Sequence, residues 1–199
     1  MSLAELRYFL INKPRGLVSQ FLSSHAVGLL GDIEFDFPEG THAIGRLDRD
    51  SEGLLILTTD KSVTRKIFLA PEPHARAYLV LVEYAMKPDT LQRLKNGVPI
   101  RIESGESYLA VPEAAEIITD PKPIYAHAGD PREAYPHTWL LITLSEGKFR
   151  QVRKMVQAAG HRCLRLIRLN IGGHRLGHLL PGQVKELDAA EFFGGLGGD

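Results

Sequence analysis

Gly45-Arg46-Leu47-Asp48-Arg49-Asp50-Ser51-Glu52-Gly53-Leu54-Leu55-Ile56-Leu57-Thr58 sets a charged turn directly in front of an apolar run. The run from Leu54 to Thr58 is continuous enough to form a strand buried on both faces. Asp48 lies between Arg46 and Arg49. Nearby positive charge favours the ionised form of a carboxylate, and an ionised, positioned carboxylate can act as a nucleophile or a base. Little else in the chain is equipped for chemistry: it has no paired cysteines, no phosphate loop and no metal-ligand spacing.

Working outward, Tyr8 to Asn12 reads as a short strand that runs into the turn Lys13-Pro14-Arg15-Gly16. Asp32 to Gly40 is loop-like, and His42 to Leu47 is extended. Asp60 predicts an N-cap for a helix over Lys61 to Leu69, stopped by Pro71. Ala75 to Tyr84 is a strong strand. Pro88 opens a short helix through Lys95, ended by Asn96-Gly97. Short strands follow near Ser107 to Val111 and Ala114 to Thr119. Asp120 to Pro136 holds four prolines and reads as a long loop. His137 to Leu144 resumes as a strand, Lys148 to Ala159 is helical with Gly160 at its stop, and His161 to Asn170 is a strand. Many strands with few helices between them predict an α+β fold with a mixed, mostly antiparallel sheet flanked by a few helices.

At 199 residues the chain is long enough for one ordinary domain or two small lobes. One cysteine, Cys163, excludes an internal disulfide, which fits a reducing compartment. No signal peptide or membrane-length apolar stretch is present, so a cytoplasmic protein without membrane contact is expected. The net charge of zero hides an asymmetry. Gly147 to Lys185 contains no Asp or Glu but nine basic residues: Lys148, Arg150, Arg153, Lys154, Arg162, Arg165, Arg168, Arg175 and Lys185. The other 15 basic residues face all 24 acidic ones, so the rest of the chain carries −9. Such a split is expected of a polyanion-binding face on an acidic body. In the helix from Lys148, a rotation of about 100° per residue puts Phe149, Val152, Met155, Val156 and Ala159 on one packing side. Arg150, Arg153, Lys154 and Gln157 fall on the opposite side, which presents three cations without acidic partners one turn away, as expected of a functional cation face rather than a solvated one.

Three blocks resemble the RsuA-type ribosomal RNA pseudouridine synthases. Asn12-Lys13-Pro14-Arg15-Gly16 is similar to that family's opening Asn-Lys-Pro-x-Gly turn. GRLDRDSEGLLILT is similar to its catalytic block, and Glu146-Gly147-Lys148-Phe149-Arg150-Gln151-Val152-Arg153-Lys154-Met155 to its Glu-Gly-x-x-x-Gln-Val-Arg-Arg-Met block. Ala77-Tyr78-Leu79-Val80 matches a strand bearing an active-site tyrosine, although Ala75-Arg76 stands where the family usually has a lysine. The likeness runs from Tyr8 to Leu187. It implies the pseudouridine synthase fold with a catalytic cleft across the sheet, and one catalytic domain of two lobes over residues 1–193, followed by a flexible glycine-rich tail over 194–199. The chain begins almost at the catalytic strand, so an N-terminal S4-type RNA-binding module is not expected. That resembles the branch acting on large-subunit (23S) rRNA.

The resemblance implies that Asp48 is the essential carboxylate, acting on the base, on C1′ or on a sugar proton. It implies that Arg153 pairs with Asp48 and that Tyr78 stacks on the base. Arg46 could fill the space left by a flipped base. Lys13, Arg150, Lys154, Arg165 and Arg168 are candidate phosphate contacts. The isomerisation gains and loses no electron or group, so no cofactor and no metal are expected, and the protein is expected to be a monomer. His42, His74, His161 and His174 show no ligand spacing and are expected to be structural, and Cys163 an inert core thiol. Two other readings compete. Asp48-Arg49-Asp50-Ser51 superficially matches an Asp-x-Asp phosphatase nucleophile, but that motif needs its apolar strand before it, not after. A non-catalytic RNA- or ribosome-binding module would use the same basic stretch but has no need of Asp48.

Overall fold

The computed structural model describes residues 5–68 and 74–197. In chain order the strands and helices are β1 (Tyr8–Lys13), β2 (His42–Ile44), β3 (Glu52–Thr58), α1 (Ser62–Phe68), β4 (Arg76–Glu83) and α2 (Pro88–Lys95). Then come β5 (Val98–Arg101), β6 (Ser107–Ala110), β7 (Ala114–Ile118), β8 (His137–Leu144), α3 (Gln151–Ala158) and β9 (Cys163–Arg168). The chain ends with β10 (Asn170–Ile171), β11 (His174–Arg175), β12 (Val184–Leu187) and α4 (Ala189–Gly194). They form two compact units: one from residues before Ala75 together with those from Leu169 onward, the other Ala75–Arg168. The expected α+β class with mostly antiparallel pairing is what these elements make.

In the first unit β12, β1 and β3 lie side by side, antiparallel, and β2 also pairs with β3. Every residue of β1 and β3 is buried, as continuous apolar runs require. The register sets Tyr8 opposite Thr58 and Lys13 opposite Gly53, so the end of β1 meets the beginning of β3. One side of this sheet packs Phe9, Ile11, Leu55 and Leu57 against Leu30, Ile33 and Leu47. The stretch over 32–40 is a loop, as expected, yet it delivers core aromatics: Phe35 meets Phe9 edge-on at 5.6 Å and Phe37 meets Phe21 at 5.2 Å. α1 starts at Ser62, whose N–H donates to Asp60 Oδ1 at 2.8 Å, the anticipated cap. Leu69, expected as its last residue, lies outside the described residues.

The expected flexible tail differs over its first residues. Asp188 caps α4 by accepting from the Glu191 N–H, and Gly194 is the last residue of that helix. Phe192 is fully buried and stacks on Tyr8 at 4.5 Å. Gly195 lies so close to His174 that a Cβ there would sit 2.4 Å from Cε1. These glycines, which sequence suggests as a disorder signal, are thus partly a packing requirement.

In the second unit the strand order is β9-β4-β8-β7, again antiparallel throughout, with β5 and β6 as a separate hairpin. Val80, Val82, Leu140 and Ile142 from the sheet pack against Val152, Met155, Val156 and Ala159 and against Leu94 of α2. The proline-rich segment over 120–136 is a loop with one short helical turn at Pro131–Ala134, and it is fastened down by cations. Arg165 Nη1 donates to the carbonyls of His127, Ala128 and Gly129 at 2.8, 2.8 and 3.0 Å. Arg132 donates to Leu164 O at 2.8 Å and makes a forked pair with Asp130.

That pair holds the Asp130 carboxyl down to about 2, the Arg132 hydrogen bond being the main cause and burial opposing it. A carboxyl lowered by folding contributes stability above its unfolded value, near 4, and loses it as pH falls through the folded value. Asp130→Asn is expected to destabilise the protein by about 1–2 kcal/mol at pH 7, discounted for the partly exposed arginine. The difference from wild type should shrink as pH falls from about 4 to about 2 in urea unfolding curves.

Candidate active site

In the first unit the site is two turns brought together by the β1–β3 register. β1 runs out into Pro14–Ser19 and β3 is entered from Gly45–Ser51, so both turns lie at one end of the same strand pair. They are stitched to each other at two points, and the second is closed by a bond of its own. Ser19 Oγ donates to Leu47 O at 2.8 Å and accepts the Leu47 N–H at 2.9 Å. Gly16 N–H donates to Arg49 O at 2.7 Å, and Arg49 Nε returns a bond to Gly16 O at 3.1 Å. Ser51 N–H donates to Asp48 O at 3.0 Å, closing the turn that carries the acid. Leu47 is buried while its neighbours Arg46 and Asp48 are exposed and half-buried. The alternation Arg-Leu-Asp therefore anchors the backbone by its middle residue and presents the two charged ones. Gly45 (φ 71°) and Gly53 (φ 99°) bracket the turn in left-handed conformations that side chains disfavour.

Lys13 is fully buried, and its ammonium donates to Pro14 O at 2.9 Å and Leu17 O at 2.7 Å. It holds the first turn in shape from beneath and is not the surface phosphate contact expected from sequence. A lysine at a strand end reads as exposed because sequence does not show the carbonyls that curl back over it.

In the second unit the start of β4, the end of β8 and the end of β9 coincide: Arg76 is opposite Leu144, and Tyr78 is opposite Arg168. Tyr78 is buried, and Arg168 hydrogen-bonds its hydroxyl. Burial pulls the Arg168 guanidinium below the ordinary arginine value, and the Tyr78 partner acts in the opposite direction. Beyond β8, Glu146 is a hub. It accepts from the Tyr108 hydroxyl at 2.8 Å and from Gln151 Nε2 at 2.5 Å, and faces Lys148 Nζ at 3.6 Å. The bond to Glu146 raises the Tyr108 phenol above its usual value. Gln151, the first residue of α3, in turn accepts the Lys148 N–H at 2.9 Å and so braces the approach to the helix. The Glu-Gly-x-x-x-Gln spacing is thus the clamp that shapes the entry into α3.

That clamp changes the expected helix. α3 begins at Gln151, not Lys148, and Arg150 sits at its N-cap with a left-handed backbone (φ 53°). Such a conformation costs a non-glycine residue on the order of 1 kcal/mol. Phe149, expected on the packing face, lies ahead of the helix and is 53% exposed. Val152, Met155, Val156 and Ala159 pack as expected. Arg153, expected on the cation face opposite the packing side, is buried, whereas Lys154 is half-buried and donates to Arg101 O at 2.7 Å. Arg165 and Arg168, expected to meet phosphates, are buried too, the first on loop carbonyls and the second on Tyr78. Three cations of the acid-free stretch are therefore interior groups. Of the histidines, His161 Nδ1 meets Glu83 O at 2.8 Å and His174 Nε2 meets Phe192 O at 2.9 Å. Cys163 is half-buried.

Sequence reasoning misses Ser19, whose hydroxyl serves both the N–H and the C=O of one residue. Ser19→Ala leaves both Leu47 backbone groups to find new partners in a buried setting and is expected to cost about 1–3 kcal/mol. Urea unfolding checks it, and amide exchange at Leu47 should rise well above that at β3.

A family model described as RNA pseudouridylate synthase matches residues 7–158. The ribosomal large subunit pseudouridine synthase E of Vibrio vulnificus is 38% identical over 190 residues, covering 94% of this chain and 77% of that protein. The ribosomal small subunit pseudouridine synthase A of Escherichia coli is 31% identical over 187 residues, covering 93% of this chain and 72% of that protein. A crystal structure of a pseudouridylate synthase matches at a TM-score of 0.72 and 27% identity, covering 97% of this chain and 75% of that one. The matched span of the family model holds the Asp48 turn, Tyr78 and the Glu146–Gln151 clamp with Arg153, and the chain belongs to the RNA pseudouridylate synthase family.

Proposed function

We propose that the protein isomerises a uridine of large-subunit ribosomal RNA to pseudouridine in the cytoplasm, with Asp48 as the essential carboxylate. The observation that carries this reading is the 38% identity, across 94% of the chain, to a large-subunit enzyme. The reaction breaks the N1–C1′ bond, turns the uracil in place and joins C5 to C1′. The proton leaving C5 balances the one gained at N1, so nothing is oxidised and nothing leaves the site. Such a step needs a fixed anion at the ribose and base. The Asp48 turn is suited to that, because its backbone is held by Ser51, Arg49 and the Ser19 clamp on Leu47.

Arg153 is the cation proposed to keep Asp48 ionised in a site emptied of water, where desolvation alone would favour the neutral acid. Tyr78 offers its ring to the turning uracil, and Arg168 fixes the tyrosine through its hydroxyl. Arg46, exposed beside Asp48, is suited to fill the stack vacated by a flipped base. Arg150 and Lys154 remain candidates for phosphates. Lys13, Arg165 and Arg168 are positioning residues, since they are buried and bond turn and loop carbonyls or the Tyr78 hydroxyl. A purely RNA-binding role is less favoured, because a carboxylate held this firmly in a cationic turn would only repel phosphates.

Pseudouridine mapping of ribosomal RNA from cells with and without the gene is expected to differ at a large-subunit uridine; an unchanged map would sink the proposal. Asp48→Asn should lower kcat on ribosomal RNA by on the order of 10³-fold or more, about 4 kcal/mol of barrier. Its RNA affinity in filter binding should stay within a few-fold of wild type. Arg46→Ala should lose more activity on folded ribosomal RNA than on an unstructured fragment containing the same uridine. Equal losses on both would rule out a role in base flipping.

A further inference from the structure

Arg175 and Lys185 belong to the acid-free stretch but not to the site described above. Both are exposed, and both line a broadly open surface cavity of about 500 Å³ in the first unit, together with His178, Gln183, His174 and Glu191. That volume is in the range of small-ligand sites. The floor is rigid. His174 is buried with Nε2 on Phe192 O, and Gly195 leaves its ring no room for a neighbouring Cβ. A Cβ on Gly173 would lie 2.9 Å from Gly195 O, so the floor admits only glycine there as well. The rim bears two cations against a single carboxylate, Glu191, which Lys185 meets at 3.5 Å.

The cavity is also wired to the Asp48 turn within the same unit. The loop that forms one wall docks on Asn12: Asn12 N–H donates to Gln183 O at 3.1 Å, Gly182 N–H to Asn12 O at 2.8 Å, and Asn12 Nδ2 to Leu179 O at 2.7 Å. Asn12 leads directly into the turn whose Gly16 holds Arg49. One hydrogen-bonded path therefore connects the cavity wall to the acid-bearing turn.

We infer that this cavity binds a nucleotide of the RNA substrate outside the target uridine, with Arg175 and Lys185 on its phosphodiester. The inference rests on the RNA-modifying reading. A free mononucleotide offers the same chemistry, but a site coupled to the Asn12–Gly16 turn fits a strand already engaged at Asp48.

The test uses the full chain and a large-subunit ribosomal RNA transcript, with filter binding across a salt series and turnover measured on the same transcript. Arg175→Glu with Lys185→Glu is expected to weaken affinity by about tenfold or more at 100 mM salt. It should also flatten the log–log salt dependence by about 0.7, the share of one phosphate on single-stranded RNA. kcat at saturating transcript should stay within about twofold. Glu191→Gln should tighten binding by about two- to threefold, a gain that a damaged fold could not produce. Unchanged affinity and slope in the double variant, with normal wild-type turnover, would overturn the cavity assignment and leave the enzyme reading intact. Absence of wild-type turnover would instead strike the enzyme reading. Displacement of uridine monophosphate from the cavity by neither short nor long RNA would identify a free-nucleotide site and overturn the inference.

Discussion

Because side chains alternate along a strand, the pairing of Lys13 with Gly53 across β1 and β3 resists slipping: a shift of one residue in either strand would turn that strand's pair, Phe9 and Ile11 or Leu55 and Leu57, out of their core. That register brings two turns, some thirty residues apart in sequence, to one end of the first unit. Once there, they need few bonds to fix Asp48. Leu47 is clamped on both backbone groups by one hydroxyl and buried by its side chain, so the residues on either side are presented with little freedom. The acid is positioned by the neighbour that is not chemical. The second unit follows the same logic, with Tyr78 opposite Arg168 in the sheet and the Glu146–Gln151 clamp beyond the end of β8.

Interior cations are the costly part of this design. Burying an ammonium or guanidinium is tolerated only when its donors are met. The Lys13 ammonium and Arg165 Nη1 donate to backbone carbonyls of turns and loops, and Arg168 bonds the Tyr78 hydroxyl. Each buried cation thereby shapes an irregular segment or fixes the Tyr78 ring. The charge asymmetry of the chain thus has two origins. Some positive residues organise the protein from within; others, such as Arg46, Arg175 and Lys185, are left at the surface.

Much of this architecture is legible in the amino-acid sequence. The strands around GLLILT and YLVLV, the cap at Asp60, the helix opened by Pro88 and the packing side of α3 follow from period and composition, which local sequence carries directly. What is not legible depends on contacts remote in sequence. Arg153 stands at a helical position that projection assigns to the cation face opposite the packing side, and only the elements packed around it make it interior. The projected helix starts three residues early because Gln151 binds back to Lys148. That signal is present as a three-residue spacing, but inside a longer motif it does not stand out. The glycines after Phe193 read as disorder by composition, although the first of them close α4 and make room for His174.

A protein of zero net charge can still hold a polyanion when its opposite charges are kept apart, because screening confines each group's influence to about 10 Å. The sequence from Gly147 to Lys185 removes every carboxylate from that neighbourhood along the chain. Where carboxylates from outside the stretch do come close, they are engaged: Glu146 by Gln151 and Tyr108, Glu191 by Lys185. A carboxylate so held is a weaker deterrent to a phosphate than a free one, since part of its field is already met. Asp48 is the instructive contrast, an acid retained amid arginines in the very turn the fold takes most care to fix. Retaining a negative group in a turn proposed to meet RNA costs binding, and that cost fits the proposal that the group acts on the substrate.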